Sequence, residues 1–318
     1  MAAPPERIVV TGAGGYLGGR VVEHLSGAGH AVGALSRGPA PWLPVPVAAI
    51  DLVDDPVDLA GALDGAAAVV HLAGANEARA VTDPERALTS TIVAARRVAH
   101  ACVAMGVKRV VYVSTMHVYG AALEPDAGIT ESTVPQPRNG YAIARLTAEH
   151  LLAAAGVDVV VMRLTNGVGA PVAPQVDRWS LVVNDLCRQA VTDGELRLRT
   201  DGLQWRDFVP LADVCRVLAA AADPATVPAG TYNLSSGRPS TVRAVAELVQ
   251  DAVEAATGRR PPLQGPPAQG QPTAPYIVSA ARLAALGLEG DTPLRAAVDE
   301  TVRFCLEHEA ELRTGGGA

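Results

Sequence analysis

Tyr141 and Arg145 stand four residues apart in Asn139–Leu151, NGYAIARLTAEHL. On a helix that spacing puts a phenol and a guanidinium on one face. A cation beside a phenol favours phenolate and brings its pKa of about 10 towards neutrality, where it serves as a general acid or base. Thr115 ends the apolar run KRVVYVST, and its hydroxyl is suited to holding the same substrate oxygen. His117 reads in two ways. It is either a substrate contact and auxiliary acid–base group that works near neutral pH, or a loop histidine in a structural hydrogen bond. His71 closes another apolar run and reads as structural. The other histidines form no HExxH-type pair, so no metal site is expected.

A second cluster is VVTGAGGYLGG, residues 9–19, in which Gly12, Gly15 and Gly18 recur every third position between a strand pattern and a helix pattern. In that setting the first glycine permits the tight turn, the second lets backbone approach a pyrophosphate, and the third lets helix and strand pack closely. The helix N-terminus adds N–H groups and partial positive charge. The expectation is a dinucleotide site built on these glycines with Tyr16 and Leu17, against the alternative of a tight turn that holds nothing. Ser36-Arg37 ends the next apolar run, where an acidic residue would select a ribose 2′-hydroxyl. A serine and an arginine there suit a 2′-phosphate, so NADP is expected, with NAD possible. Asp51, beside Leu52, is the expected adenine contact.

These residues need a frame to position them. Short apolar runs alternate with helical patterns through the first half. Strands are expected at Arg7–Thr11, His30–Ser36, Val45–Asp51, Ala66–Gly74, Lys108–Thr115 and Val157–Leu164. Helices are expected at Gly15–Ala28, Pro84–Gly106 and Tyr141–Ala155. Strands without polar alternation, each followed by a helix, predict a doubly wound α/β fold whose parallel sheet is covered on both faces. After Asn166 the pattern loosens. Helical stretches at Trp179–Thr192, Leu211–Ala222, Thr241–Thr257 and Pro293–His308 alternate with loops that include the Arg259–Pro275 run. The reading is a dinucleotide-binding part over 1–165 and a smaller, mainly helical substrate-binding part over 166–318, with 206–233 returning to the sheet. The ends, MAAPPE and TGGGA, are expected to fray.

Composition narrows the partners. The chain has 318 residues, 49% of them apolar, and a net charge of −7 with no basic block. Nucleic acid and anionic membrane are therefore not expected partners. Cys102, Cys187, Cys215 and Cys305 form no ligand spacing and read as reduced, buried thiols. The first residues lack the charged and apolar regions of a signal peptide, and no apolar run reaches membrane-spanning length, so a cytoplasmic protein is expected.

The motifs TGAGGYLG, HLAG, VVYVSTMHVYG, YxxxR, RLTNGVG and WRDFVPLADV, in this order, resemble those of the extended short-chain dehydrogenase/reductase family. The likeness is greatest to nucleotide-sugar epimerases, dehydratases and reductases, and it covers nearly the whole chain. The resemblance implies that Tyr141 is the acid–base residue and that Thr115 fills the Ser/Thr position. It implies that Leu72, Ala73 and Gly74 line the cofactor, that Asn166 touches the sugar–nucleotide end, and that Arg206 grips the diphosphate. Relatives dimerise through the helices equivalent to Pro84–Met105 and the Tyr141 helix, which implies a homodimer.

Three departures stand out. The family's Lys is Arg145, which keeps the charge but is planar and cannot relay a proton. Thr91 stands where the family often has Asn. Met116-His117 replaces the Asp-Glu pair of sugar dehydratases, which makes elimination of water the least expected reaction. Trp179, with Arg178 before it, either stacks on a base or packs between the two parts. The expected function is NADPH-dependent reduction of a nucleotide-activated keto sugar, with Met116 and His117 among the substrate contacts. The rivals are a nucleotide-sugar epimerase that retains NAD, a non-catalytic nucleotide-binding protein with a decayed site, and a reductase of a non-nucleotide ketone.

Overall fold

A computed structural model describes residues 6–53 and 59–314. The apolar runs form one seven-stranded parallel sheet. Its order, edge to edge, is Gly230–Leu234, Asp158–Leu164, Arg109–Thr115, Ala66–His71, Arg7–Thr11, Ala31–Ser36 and Val47–Ala49. The first residues, 1–5, and the last, 315–318, lie outside the described residues, as does most of what was expected to fray.

Alternate side chains of each strand enter different cores, and this is why the strands read as continuous apolar runs. Ile8 and Val10 join Val21, Leu25, Val214 and Leu218 beneath the helices Tyr16–Gly27 and Leu211–Ala221. Val9, Val69 and Val110 face the other way, onto Val98, Cys102, Ala148 and Leu152 of the helices Pro84–Ala104 and Gly140–Ala153. Arg109 starts the central strand almost fully buried. It donates to the carbonyls of Ala221 and Val227 at 3.3 and 2.7 Å and pairs with Asp158 at 3.3 Å, so it ties the sheet to the chain that returns to its edge.

A third core joins the helices Val182–Thr192, Val242–Thr257 and Leu294–Glu307 around Phe208. Cys187 and Cys305 lie in this core, Cys102 and Cys215 in the two sheet cores, and all four are buried free thiols. Burial alone pushes the Cys102 thiol up to about 12. The helix expected from Trp179 begins at Val182, because the indole is used elsewhere. It donates to the Pro174 carbonyl at 3.3 Å and stacks on Phe304 with centroids 6.2 Å apart. Trp179 therefore packs against the helical core. The third strand is shorter than Val45–Asp51 and spans Val47–Ala49. No helix among the described residues is long and apolar enough to cross a membrane.

Candidate active site

The glycine turn sits at the carboxyl end of the first strand. Gly12 has φ of +72°, a left-handed conformation that glycine adopts without strain, and a Cβ there would lie 2.9 Å from the Ala73 nitrogen. A Cβ on Gly18 would lie 2.0 Å from the Gly12 carbonyl oxygen. At both positions backbone packs so closely that no side chain fits, as the tight turn and the close approach of helix to strand require. Tyr16 opens the helix and donates its hydroxyl to the Gly169 carbonyl at 2.7 Å, and burial pushes this phenol far up. It is a structural strut between the turn and the Asn166–Val168 segment, and it takes no part in proton transfer.

The turn opens into a cavity of about 250 Å³. Gly12, Gly15, Tyr16, Leu17 and Gly18 line one end, with Leu72 and Gly74 beside them. Thr115, His117, Tyr141, Arg145 and Asn166 line the rest. Thr115 ends its strand buried, and its oxygen accepts from the His117 N–H at 3.2 Å, so its own proton is left for a substrate oxygen. Tyr141 lies in the first turn of a helix whose N-cap, Asn139, accepts from the Ala142 N–H at 2.9 Å.

Arg145 is buried, and its terminal nitrogens are held by backbone. One terminal nitrogen donates to the Val113 carbonyl at 3.2 Å and the other to the Ala75 carbonyl at 3.1 Å. Its guanidinium carbon stands 5.4 Å from the centre of the Tyr141 ring and 6.0 Å from that of Tyr112. Thr91 supports the same loop. Its hydroxyl donates to the Ala87 carbonyl at 2.9 Å and accepts from the Ala75 N–H at 3.2 Å. Beneath the floor, Ser114 donates to Glu149, which pairs with Arg163 at 2.7 Å, and Arg163 lies 4.9 Å from the Tyr119 ring. Each charge in this buried group is matched, which fixes the strand ends that carry Thr115.

Other expected residues lie apart from the cavity. Ser36 ends its strand against the glycine turn, where a Cβ on Gly14 would lie 2.7 Å from its hydroxyl oxygen. Arg37 beside it is exposed, with no hydrogen bond or ion pair to another described residue. Asp51 accepts from the Val53 N–H at 2.9 Å, and the carbonyl of buried Leu52 accepts from Arg97 at 3.2 Å. Ala73 donates its N–H to Thr11 at 3.3 Å. Met116 does not face the cavity. It is buried with Val118, Tyr119, Ile129 and Val278, because the 3-10 turn Met116–Ala122 rotates it inward.

Arg206 also lies outside the cavity, exposed, with one nitrogen donating to the Trp205 carbonyl at 2.8 Å. Its neighbour Asp207 is fully buried and accepts from Thr165 at 2.7 Å and the Ser236 N–H at 2.8 Å, so the two form no ion pair. Asn166 spends its amide on the Asp207 carbonyl at 2.7 Å. His71 is wholly buried, with Nδ1 2.7 Å from the Thr11 hydroxyl and its ring stacked on Tyr112. Burial, aided by the charge of Arg145, pushes it down to about 3.

Two lining residues escaped the reading of the sequence for chemistry. Glu77, in the short helix Glu77–Thr82, meets His117 Nε2 at 2.9 Å. Asn76 caps that helix by accepting from the Arg79 N–H at 2.9 Å. Arg178, expected with Trp179 at the start of a helix that walls the substrate pocket, lies in the loop before that helix and lines the cavity.

The parallel sheet, its glycine turn and a Thr–Tyr pair at the same sheet edge define a Rossmann-type member of the extended short-chain dehydrogenase/reductases. The NAD dependent epimerase/dehydratase family profile matches residues 8–235, and the chain belongs to that family. It is 30% identical over 264 residues to a GDP-6-deoxy-D-mannose reductase of Pseudomonas aeruginosa, which covers 78% of this chain and 81% of the relative. MoeE5, solved in complex with UDP-glucose and NAD, is 26% identical with a TM-score of 0.79, over 95% of this chain and 99% of that one. A UDP-N-acetylglucosamine 4-epimerase from Methanobrevibacter ruminantium shares the fold at 22% identity, with a TM-score of 0.81 over 96% of this chain and 100% of that one.

Proposed function

We propose that the protein is an NADP(H)-dependent reductase of a nucleotide-activated keto sugar. The observation that carries this reading is the meeting of the glycine turn with Thr115 and Tyr141 in one cavity. Bound along that cradle, the dinucleotide supplies hydride at its nicotinamide end. Gly12, Gly15 and Gly18, with the N-terminus of their helix, hold its diphosphate. Leu17, Leu72, Ala73 and Gly74 line its path. Ser36 and the unpaired Arg37 take a 2′-phosphate, and Asp51 with Leu52 takes the adenine.

At the other end Thr115 donates its hydroxyl proton to the sugar oxygen and fixes it. Tyr141 gives its proton to the same oxygen as hydride reaches carbon. The charge of Arg145 near the Tyr141 ring stabilises the phenolate that forms. Asn166 and Arg206 serve the nucleotide end of the substrate, with residues 166–318 as the substrate-binding part and 206–233 returning to the sheet of the cofactor part, 1–165. The same reading includes a homodimer in the cytoplasm.

The name of the Pseudomonas relative supports reduction. The MoeE5 complex with UDP-glucose and NAD favours a second reading, an epimerase whose cofactor never leaves. One experiment separates them. Freshly purified protein is denatured and any released dinucleotide identified by mass, and the emptied protein is then titrated with NADPH and NADH. An empty protein that prefers NADPH is the expected result, whereas tightly held NAD moves the assignment to the epimerase. Tyr141→Phe is expected to lower kcat about 10²- to 10⁴-fold with dinucleotide affinity unchanged, which stopped-flow turnover and direct titration would check.

A further inference from the structure

Resting on the reductase reading, we infer that His117, oriented by Glu77, returns the proton that Tyr141 gives up in each turnover. The chemistry demands such a group. Reduction of a carbonyl consumes one hydride and one proton, and the proton comes from Tyr141, so the phenolate left behind must be reprotonated before the next cycle. Arg145 touches the Tyr141 ring but cannot do this. A guanidinium stays protonated at any working pH, so it has no proton to give to the phenolate. Thr91 is turned away, with its hydroxyl spent on Ala87 and Ala75.

His117 meets the need. It lines the cavity, and its ring stands edge-on to that of Tyr141 with centroids 6.4 Å apart. Transfer across such a gap runs through one bridging water or substrate hydroxyl. Its Nε2 is held by Glu77 at 2.9 Å, and its side chain is 40% exposed, so it exchanges protons with solvent. The charged or titratable groups around the dyad are Glu77 itself, Tyr141 and Arg145 from the following helix, and Arg178 from the loop across the cavity. The hydrogen bond from His117 holds the Glu77 carboxyl below its ordinary range, so the anion that orients the imidazole persists.

The step balances. The Tyr141 O–H bond breaks as the product O–H bond forms. The phenolate then takes a proton from the His117 imidazolium, and the neutral imidazole regains one from water. Glu77 is a positioning residue that steadies the imidazolium and sets its orientation. Water in place of His117 would have to reprotonate Tyr141 alone.

The test uses His117→Gln and the isosteric Glu77→Gln, changes at partly exposed side chains that leave the cores untouched. The first readout is the NMR signal of the His117 ring nitrogens in the free protein. Glu77→Gln is expected to change the Nε2 shift and the rate at which its proton exchanges with water, because the 2.9 Å contact is lost. An Nε2 signal unmoved by Glu77→Gln would overturn the dyad.

The second readout is turnover of NADPH with nucleotide-activated keto sugars and, in reverse, of NADP⁺ with the corresponding alcohols, GDP-6-deoxy-D-mannose among them. Here His117→Gln is expected to lower kcat about 100-fold with KM little changed, to raise the solvent deuterium isotope effect, and to be rescued by added imidazole. In the reductive direction Glu77→Gln is expected to lower kcat with KM little changed, by less than His117→Gln does. A His117→Gln enzyme with wild-type kcat and pH profile overturns the inference and leaves the reductase intact. A wild-type protein that holds NAD tightly and converts its sugar with no net consumption of NADPH overturns both, even where the NMR coupling holds.

Discussion

His71 carries a pH dependence of the whole fold in one side chain. In the folded state it is neutral down to a pKa of about 3, because burial and the nearby Arg145 both oppose a second positive charge. The unfolded chain binds that proton at about pH 6.5. Between those values the unfolded state holds the extra proton, so stability is full above pH 6.5 and falls as pH drops towards 3, by up to about 1.4 kcal/mol per pH unit. Urea unfolding of wild type and His71→Asn across pH 4–7 should give a steeper loss in the wild type, and parallel curves would remove His71 as the cause. Several site residues could be read from local sequence. Tyr141 and Arg145 share a helical face, and Thr115 and His117 lie two apart at a strand end. Glu77 could not be read that way, because its partner His117 is forty positions on and only the sheet order brings the two loops together. Met116 misled for a related reason. It adjoins Thr115 in sequence, but a 3-10 turn sends the two side chains in opposite directions.

The strand, turn and helix at residues 7–27 form the element on which cofactor binding depends. Gly18 lies in the first turn of its helix, and glycine is needed there because its Cβ site overlaps the Gly12 carbonyl. Gly18→Ala is expected to abolish measurable NADPH binding by fluorescence titration and to destabilise the protein by roughly 1–3 kcal/mol. Gly27→Ala in the same helix meets nothing within 4 Å. It should leave binding intact and stabilise by roughly 0.5 kcal/mol. Equal effects from the two changes would show that helix propensity, and not the close approach, governs this element. Elements with long apolar runs were plain in the sequence, and the helix expected at Pro84 does start there, capped by Asp83. The short pairings 128–129 with 277–278 and 196–197 with 263–264 had no such signal. Each is two residues long, and its partner lies far along the chain, so neither periodicity nor turn chemistry marks it.

At the scale of the molecule, the apolar lining of the cavity, with Val113, Leu164, Leu181 and Leu211, belongs to the sheet core that lies under the glycine-turn helix. The lining as a whole draws on residues far apart in the chain, Thr115 and Tyr141 together with Arg178 and Leu181. The sequence foretold a helical second part but not where Trp179 would go, since stacking on Phe304 depends on a helix more than a hundred residues later. The four buried thiols turn this arrangement into a recorder of opening events. Two report on the cores flanking the sheet and two on the helical core, and none reacts while its core stays shut. Pulse alkylation under native conditions, followed by peptide mass analysis, then counts excursions of each region separately. Helical-core labels that appear earlier than the others would mean that the substrate side breathes independently of the cofactor side. Four labels that arrive in step would mean a single cooperative gate. Addition of NADPH should slow the Cys102 and Cys215 adducts most.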